Sequence, residues 1–272
     1  MEFRKVIVKM KIQTICLAAL LTMISSCTQQ YQEIALWPQT YEDNPVIKVF
    51  LPEKPNGKAV IICPGGAYHY LAMDEGTYFA SWFNNLGIAL IVLEYRMPKG
   101  NSEIPLSDAK QAIRIVRQHA KEWNIDSNKV GIMGFSAGGH LASTLATRFD
   151  AETRPDFQIL AYPVVTMDES YTHIESRVNL LGENPSEESV KLYSNELQVT
   201  PETPKAFILL SENDKIVPTA NGVNYYLALQ KNGVSAKLHI YPQGRHGWGF
   251  KDKYIYKKQW SVALSQWLSS IV

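Results

Sequence analysis

A serine set among glycines is the feature of this 272-residue sequence that most suggests chemistry. The stretch GIMGFSAGGHLAS places Ser136 between Gly134 and Gly138, after a short apolar run and before a segment with helical spacing. Glycine is costly in regular structure, so this spacing indicates a backbone that comes very close to the serine. G-x-S-x-G between a strand and a helix is a nucleophile elbow, a sharp turn that exposes the serine hydroxyl. We therefore predict that Ser136 is a nucleophile.

A serine hydroxyl is a weak nucleophile and needs a general base. Of the six histidines, His246 lies in the glycine-rich segment PQGRHGWGF, which follows the last predicted strand. Loops at the carboxyl ends of parallel strands are where such sheets place their sites. We predict that His246 is the base. His140 is expected to pack against the elbow, and His119 to lie on the surface of a helix.

The base needs a carboxylate to orient it, and the chain order for an elbow of this kind is serine, acid, histidine. Asp214 is predicted to be this acid, because it lies in LLSENDKIVP between an apolar strand and a helix. Glu212, two residues away, and Asp168, after the preceding strand, are the alternatives. Asp214 would otherwise be a carboxylate that caps a turn or helix.

A reaction at an acyl carbon also needs donors for its oxyanion. The segment CPGGAYHY follows an apolar strand, and its paired glycines can turn backbone N–H groups toward the serine. We assign the oxyanion hole to the N–H groups of Gly66, Ala67 and Ala137. The alternative is a plain Pro-Gly turn.

Alternating strands and helices must position these residues. Apolar runs predict strands over residues 46–52, 58–63, 88–95, 129–134, 157–165, 206–211 and 236–242. Helical spacing predicts helices over residues 76–87, 107–124, 140–149, 221–233 and 256–271, the second starting near Ser107 or Asp108. This alternation indicates an α/β fold with a mostly parallel central sheet and helices on both faces. Residues 166–204 interrupt it and are predicted to be an insertion above the sheet.

The composition narrows the function classes. The chain is 46% hydrophobic and 19% charged with a net charge of +1, which is ordinary for a globular protein and gives no reason to expect a nucleic-acid partner. No His/Asp cluster has the spacing of metal ligands, so we predict neither a metal nor a cofactor.

The first 27 residues are predicted to be an export signal. A basic start and the apolar run IQTICLAALLTMI precede ISSC, which resembles a bacterial lipobox and implies lipid attachment at Cys27. An ordinary secretory signal is the alternative, and Met10 could replace Met1 as the start. Residues 28–44 are predicted to be a linker and residues 45–272 one domain. There Cys63 is the only cysteine, which excludes an internal disulfide and predicts a buried thiol.

Four segments together carry a family resemblance. PGGAY, GFSAGGHLA, ENDKIVP and GRHGWG resemble an α/β-hydrolase of the acetylxylan-esterase and feruloyl-esterase-like group, related to the hormone-sensitive-lipase type, over residues 45–270. The resemblance implies the three-layer α/β-hydrolase sandwich and a Ser-His-Asp esterase without cofactor. The sequence departs from the family pattern at Pro64, where the lipase relatives have His-Gly-Gly-Gly, and at the pair Glu212-Asn213 before the acid.

The leading hypothesis is an exported, lipid-anchored esterase that removes acetyl groups from plant polysaccharide or oligosaccharide, xylan foremost. It would contact the membrane only through its anchor and face the periplasm or the cell surface. Tyr68, Tyr70 and Trp248 lie near the motifs and are candidates to stack on sugar rings. The alternatives are another carboxylesterase or a feruloyl esterase, a prolyl-oligopeptidase-like serine peptidase, and a carbohydrate-binding surface lipoprotein without activity. Oligomeric state, sugar position and acyl-chain tolerance stay open.

Overall fold

The computed structural model describes residues 30–38 and 44–271. An eight-stranded sheet organises them. Its strands are β1 (Gln32–Ala35), β2 (Val46–Phe50), β3 (Gly57–Cys63), β4 (Ala89–Glu94), β5 (Ile125–Phe135), β6 (Phe157–Ala161), β7 (Lys205–Ser211) and β8 (Ala236–Tyr241). The spatial order is β1-β2-β4-β3-β5-β6-β7-β8. The pairs β1–β2 and β2–β4 are antiparallel, and every later pair is parallel.

Helices cover both faces of this sheet. They are α1 (Ala80–Asn85), α2 (Glu103–Gln118), α3 (Ser136–Thr147), α4 (Ile174–Leu181), α5 (Glu187–Tyr193), α6 (Ala220–Lys231) and α7 (Lys257–Ser270). Apolar side chains of α2, α3 and α6 pack on one face, and those of α1 and α7 on the other. The central strands alternate their side chains between the two cores, as Ile61 and Ile62 of β3 illustrate. Strands buried on both faces explain the continuous apolar runs of the sequence.

The start of α2 differs from its prediction. The helix begins at Glu103 and carries Pro105 in its first turn, where a missing N–H costs nothing. Asp108 is therefore not a cap. It is fully buried, with its carboxylate bound by the Arg96 guanidinium and by the indole N–H of Trp37.

The linker predicted over residues 28–44 is wrong in part, because Gln32–Ala35 forms β1 at the edge of the sheet. Its sequence, QEIA, lacks an apolar alternation, and the strand is mostly exposed. Pairing with β2 supplies its backbone hydrogen bonds, so tertiary context decides its conformation. The predicted signal and Cys27 lie outside the described residues. None of the helices in the described part is long and apolar enough to span a bilayer.

The predicted insertion, residues 166–204, contains α4, α5 and the 3-10 turn Asn195–Leu197. The helix α4 reaches the loop that follows β3: the Asn179 amide donates to the Ala67 carbonyl over 2.9 Å. The insertion therefore contacts the segment predicted to form the oxyanion hole.

Candidate active site

Ser136 stands at the junction of β5 and α3, with a φ of 50°. This left-handed conformation is strained for a residue with a side chain and is held only where its surroundings fix it. Two glycines permit the turn. A Cβ at Gly134 would lie 2.1 Å from the Gly138 carbonyl oxygen, and a Cβ at Gly138 would lie 2.1 Å from the Cys63 carbonyl oxygen. Any larger residue at either position would push the elbow apart.

The structure brings Ser136, His246 and Asp214 into one hydrogen-bonded chain. His246 Nδ1 is 2.7 Å from Asp214 Oδ2, and His246 Nε2 is 2.8 Å from Ser136 Oγ. A carboxylate only accepts, so Nδ1 carries the proton and Nε2 is left to accept from the serine hydroxyl. The second carboxylate oxygen, Oδ1, accepts from the N–H groups of Ile216 and Val217, which fixes the Asp214 side chain. The arrangement is that of a serine nucleophile with its base and orienting acid.

The two alternative acids lie elsewhere. Asp168 accepts from the backbone N–H and the hydroxyl of Ser170, both within its own turn. Glu212 is exposed at the surface. Asp214, in contrast, has a side chain only 2% exposed, which suits a carboxylate that must hold an imidazole in place.

The segment after β3 lies against the serine. A Cβ at Gly65 would lie 3.0 Å from the Ser136 Cβ, so the loop and the elbow are in van der Waals contact. Gly66 and Ala67 both have positive φ values, 119° and 56°. Within the described part of the chain, the backbone N–H groups of Gly66, Ala67 and Ala137 donate to no protein acceptor. Three free donors thus lie in the two segments that meet at the nucleophile.

His140 contacts the segment after β3 through Tyr68, which agrees with the expectation that it packs against the elbow. It is fully buried, which lowers the pKa of its imidazole to about 4 and keeps it neutral. The Nε2–H donates to the Tyr193 carbonyl, so Nδ1 accepts from the Tyr68 hydroxyl at 2.9 Å. The Pro64 carbonyl accepts from the Tyr95 hydroxyl at 2.7 Å. Together with Asn179, these contacts hold the loop from several sides.

The structure contradicts the substrate-binding prediction for Tyr68 and Trp248. Tyr68 is 2% exposed and donates to His140, and Trp248 is 4% exposed with its indole N–H bonded to the Ser211 hydroxyl at 3.0 Å. Both are interior aromatic residues whose polar groups already have partners. Tyr70 is 59% exposed, and its ring lies beside Gly66, so it alone of the three could meet a ligand.

Asn179 shows what the motifs did not reveal. It lies in the middle of a predicted insertion, and nothing in its local sequence marks a contact with Ala67.

The part of the chain described by the structure contains no group of three or more His, Cys, Asp or Glu side chains placed to hold a metal ion.

The chain resembles known proteins in both sequence and structure. The BD-FAE family model matches residues 47–229. An acetylxylan esterase of Xylanibacter ruminicola is 45% identical over 82% of this chain, and endo-1,4-beta-xylanase B of Butyrivibrio fibrisolvens is 37% identical over 69%. These matches span 47% and 32% of the two relatives, so the chain corresponds to about half of the first and a third of the second.

The crystal structure of an acetyl ester-xyloside bifunctional hydrolase from Caldicellulosiruptor lactoaceticus superimposes with a TM-score of 0.84 at 36% identity. The match covers 91% of this chain and 98% of that one. The predicted α/β-hydrolase fold and the predicted family resemblance are thereby confirmed.

Proposed function

The chain belongs to the BD-FAE family of α/β-hydrolases, and we propose that it is a serine esterase that removes acetyl groups from xylan or a related plant saccharide. The observation that carries the proposal is the hydrogen-bonded triad of Ser136, His246 and Asp214. Its contacts are 2.8 and 2.7 Å long, and unpaired backbone N–H groups lie beside it. The names of the relatives support a carboxylic ester hydrolase acting on acetylated xylan.

The proposed reaction has two halves. His246 Nε2 takes the hydroxyl proton as Ser136 Oγ attacks the ester carbonyl, and the oxyanion accepts from the N–H groups of Gly66, Ala67 and Ala137. The sugar alcohol leaves with the proton from His246, and an acetyl group stays on Ser136. Water, deprotonated by the same Nε2, then releases acetate and restores the serine. Asp214 keeps Nδ1 protonated and stabilises the imidazolium in both halves.

The first experiment measures hydrolysis of 4-nitrophenyl acetate by the wild type and by Ser136→Ala. We expect Ser136→Ala to lose at least about 10³-fold in kcat. Ser143→Ala is the matched control, because Ser143 is also buried in the same helix, but its hydroxyl donates to the His140 carbonyl and accepts from the Asn195 amide. Equal rates for the wild type and Ser136→Ala would refute the esterase proposal.

The second experiment compares substrates. Acetate release from acetylated xylo-oligosaccharides should exceed ferulate release from feruloylated ones, and peptides should not be cleaved. Peptide cleavage without acetate release would instead favour the peptidase alternative. Binding of the saccharide without release of any acid would favour the carbohydrate-binding alternative.

We further propose that the mature protein is exported and held on a bacterial membrane by a lipid on Cys27. The lipobox-like ISSC motif supports this, and export suits a polymeric substrate that cannot enter the cell. Cys27→Ser should move the protein from the membrane fraction to the soluble fraction, whereas Ser26→Ala should leave it membrane-bound. Retention of Cys27→Ser in the membrane fraction would refute the anchor.

A further inference from the structure

Glu75 is a buried carboxylate that the reaction above does not use. It ends the 3-10 turn Met73–Glu75 and is 5% exposed. Its Oε2 accepts from the Gly65 N–H over 2.9 Å. Gly65 immediately precedes Gly66 and Ala67, so Glu75 binds the loop that carries two of the proposed oxyanion donors. This loop, which follows β3, is called the oxyanion loop below.

The other oxygen of the same carboxylate is linked, through Tyr162, to the loop that carries His246. Glu75 Oε1 accepts from the Tyr162 hydroxyl over 2.7 Å, and that hydroxyl accepts from the Gly249 N–H over 2.9 Å. Gly249 lies three residues after His246, and the Tyr162 ring packs edge-on against the imidazole with centroids 4.9 Å apart. Tyr162 is 1% exposed, so this linkage is shielded from water.

We propose that Glu75 is a positioning residue: through Gly65 and Tyr162 it fixes the distance between the oxyanion loop and the loop that carries His246. The proposal rests on the proposed esterase function. The two loops come from distant parts of the chain, after β3 and after β8, and the Glu75 carboxylate is hydrogen-bonded to both through these partners.

The cost of this arrangement argues for a specific role. A buried carboxylate is expensive unless its oxygens are fully hydrogen-bonded. Within the described residues no lysine or arginine forms a salt bridge with Glu75, and the nearby Lys251 pairs with Asp74 instead, so the hydrogen bonds from Gly65 and Tyr162 are the direct contacts that offset its burial. Burial also raises the pKa of Glu75. An apolar side chain could fill the space at lower cost, but it could not hold the Gly65 N–H and the Tyr162 hydroxyl together.

Glutamine and alanine separate positioning from simple packing. In Glu75→Gln the amide oxygen can accept from Gly65 while the amide nitrogen donates to the Tyr162 oxygen, so both loops stay connected. In Glu75→Ala both connections are lost. Tyr162→Phe keeps the bond between Glu75 and Gly65 but breaks the link to the His246 loop, because Glu75 Oε1 loses its donor and the Gly249 N–H loses its acceptor.

Tyr225→Phe is the matched control. Tyr225 is also fully buried, and its hydroxyl donates over 3.0 Å to the Gln158 side chain, in the core on the α6 side of the sheet. Both phenylalanine variants remove one buried hydroxyl, but Tyr162→Phe removes two hydrogen bonds and Tyr225→Phe removes one. Both variants should therefore lose thermal stability, Tyr162→Phe the more, and only the variant beside the triad should lose turnover.

The experiment measures kcat, KM and Tm of the four variants on 4-nitrophenyl acetate. Because small misplacements of catalytic groups act on turnover, we expect Tyr162→Phe to lose about tenfold in kcat with KM nearly unchanged, and Tyr225→Phe to keep the wild-type kcat. Glu75→Ala should lose at least about tenfold more than Glu75→Gln.

Two results would overturn the positioning role. One is a Tyr162→Phe kcat equal to that of Tyr225→Phe, and the other is equal kcat values for Glu75→Gln and Glu75→Ala. An inactive wild type that matches Ser136→Ala would refute the esterase function instead. The two failures are therefore distinguishable.

Discussion

Replacing Gly138 by alanine sets helix propensity against sterics at the elbow. Alanine is favoured over glycine in a helix interior by about 0.5–1 kcal/mol, so propensity alone predicts a more stable protein. Gly138 lies in the first turn of α3, and a Cβ there would lie 2.1 Å from the Cys63 carbonyl oxygen and 2.3 Å from that of Pro64. Real Cβ atoms essentially never come closer than 3.0 Å, so the backbone at the end of β3 must move away by roughly 1 Å.

The magnitude of this displacement decides the outcome. Overpacking of a core costs about 1–3 kcal/mol, which exceeds the gain in propensity, so the free energy of unfolding should fall by about 1–2 kcal/mol. The displaced carbonyls, of Cys63 at the end of β3 and of Pro64 after it, lead directly into Gly65 and Gly66. A 1 Å misplacement of catalytic groups costs on the order of 100-fold, so kcat/KM of Gly138→Ala should drop by about that factor.

The assay compares Gly138→Ala with Gly233→Ala in urea unfolding and in hydrolysis of 4-nitrophenyl acetate. Gly233 has a φ of 73°, and a Cβ added there would meet no atom within 4 Å, so alanine costs about 1 kcal/mol of backbone strain, far from the elbow. The two variants should be destabilised to a similar extent, but only Gly138→Ala should lose activity. Wild-type kcat/KM in Gly138→Ala would refute the proposed contact between elbow and loop.

Three further predictions concern groups around the site. Asp214→Asn should keep the fold but lower kcat by about 10⁴-fold, because asparagine does not enforce the tautomer that the base needs; a loss below tenfold would contradict this. Burial lowers the pKa of His140 to about 4 from 6.5, so its neutral form stabilises the fold above pH 6.5, and about 3 kcal/mol is lost as the pH falls toward 4. In urea unfolding at pH 7 and 4.5, the free energy of unfolding of His140→Gln should depend less on pH than that of the wild type. An equal dependence would contradict the role of His140 in the pH-dependent stability. Asn179→Ala frees the Ala67 carbonyl and should lower kcat about tenfold at similar KM, whereas an unchanged kcat would show that the insertion does not hold the loop.

The residues that react were predictable because their chemistry demands local sequence features. A serine in the left-handed conformation, with backbone packed closely around it, requires glycine two residues before and two residues after it. The spacing of Gly134, Ser136 and Gly138 meets this requirement and is visible in the sequence. The acid and the base follow strands of a parallel sheet, so chain order and apolar runs place Asp214 and His246 at one edge. The alternation of strands and helices likewise indicated the sheet.

The supporting residues were not predictable in the same way. Glu75 and Asn179 contact the oxyanion loop from distant segments, and each looks locally like an ordinary turn or surface residue. The aromatic candidates failed for a related reason: an aromatic residue beside a motif packs inward or outward according to its neighbours in space. Tyr68 turns inward because His140 lies beneath it, whereas Tyr70, two residues later, is exposed.

The strand β1 gives a third case. An edge strand needs only one partner and one buried face, so its sequence carries little apolar pattern. Ile34 is its single large apolar side chain, and it is only partly buried against the core. Such a strand is defined by its pairing with β2 and not by its composition.

The most direct test of the esterase account is to identify the residue that carries the acyl group. Wild-type protein mixed with 4-nitrophenyl acetate, quenched in acid within milliseconds and mapped by peptide mass spectrometry should carry one acetyl group on the peptide that contains Ser136. Ser136→Ala should carry none and should not turn over. Acetylation of a different residue during turnover, or continued turnover by Ser136→Ala, would contradict the assignment of Ser136 as the nucleophile.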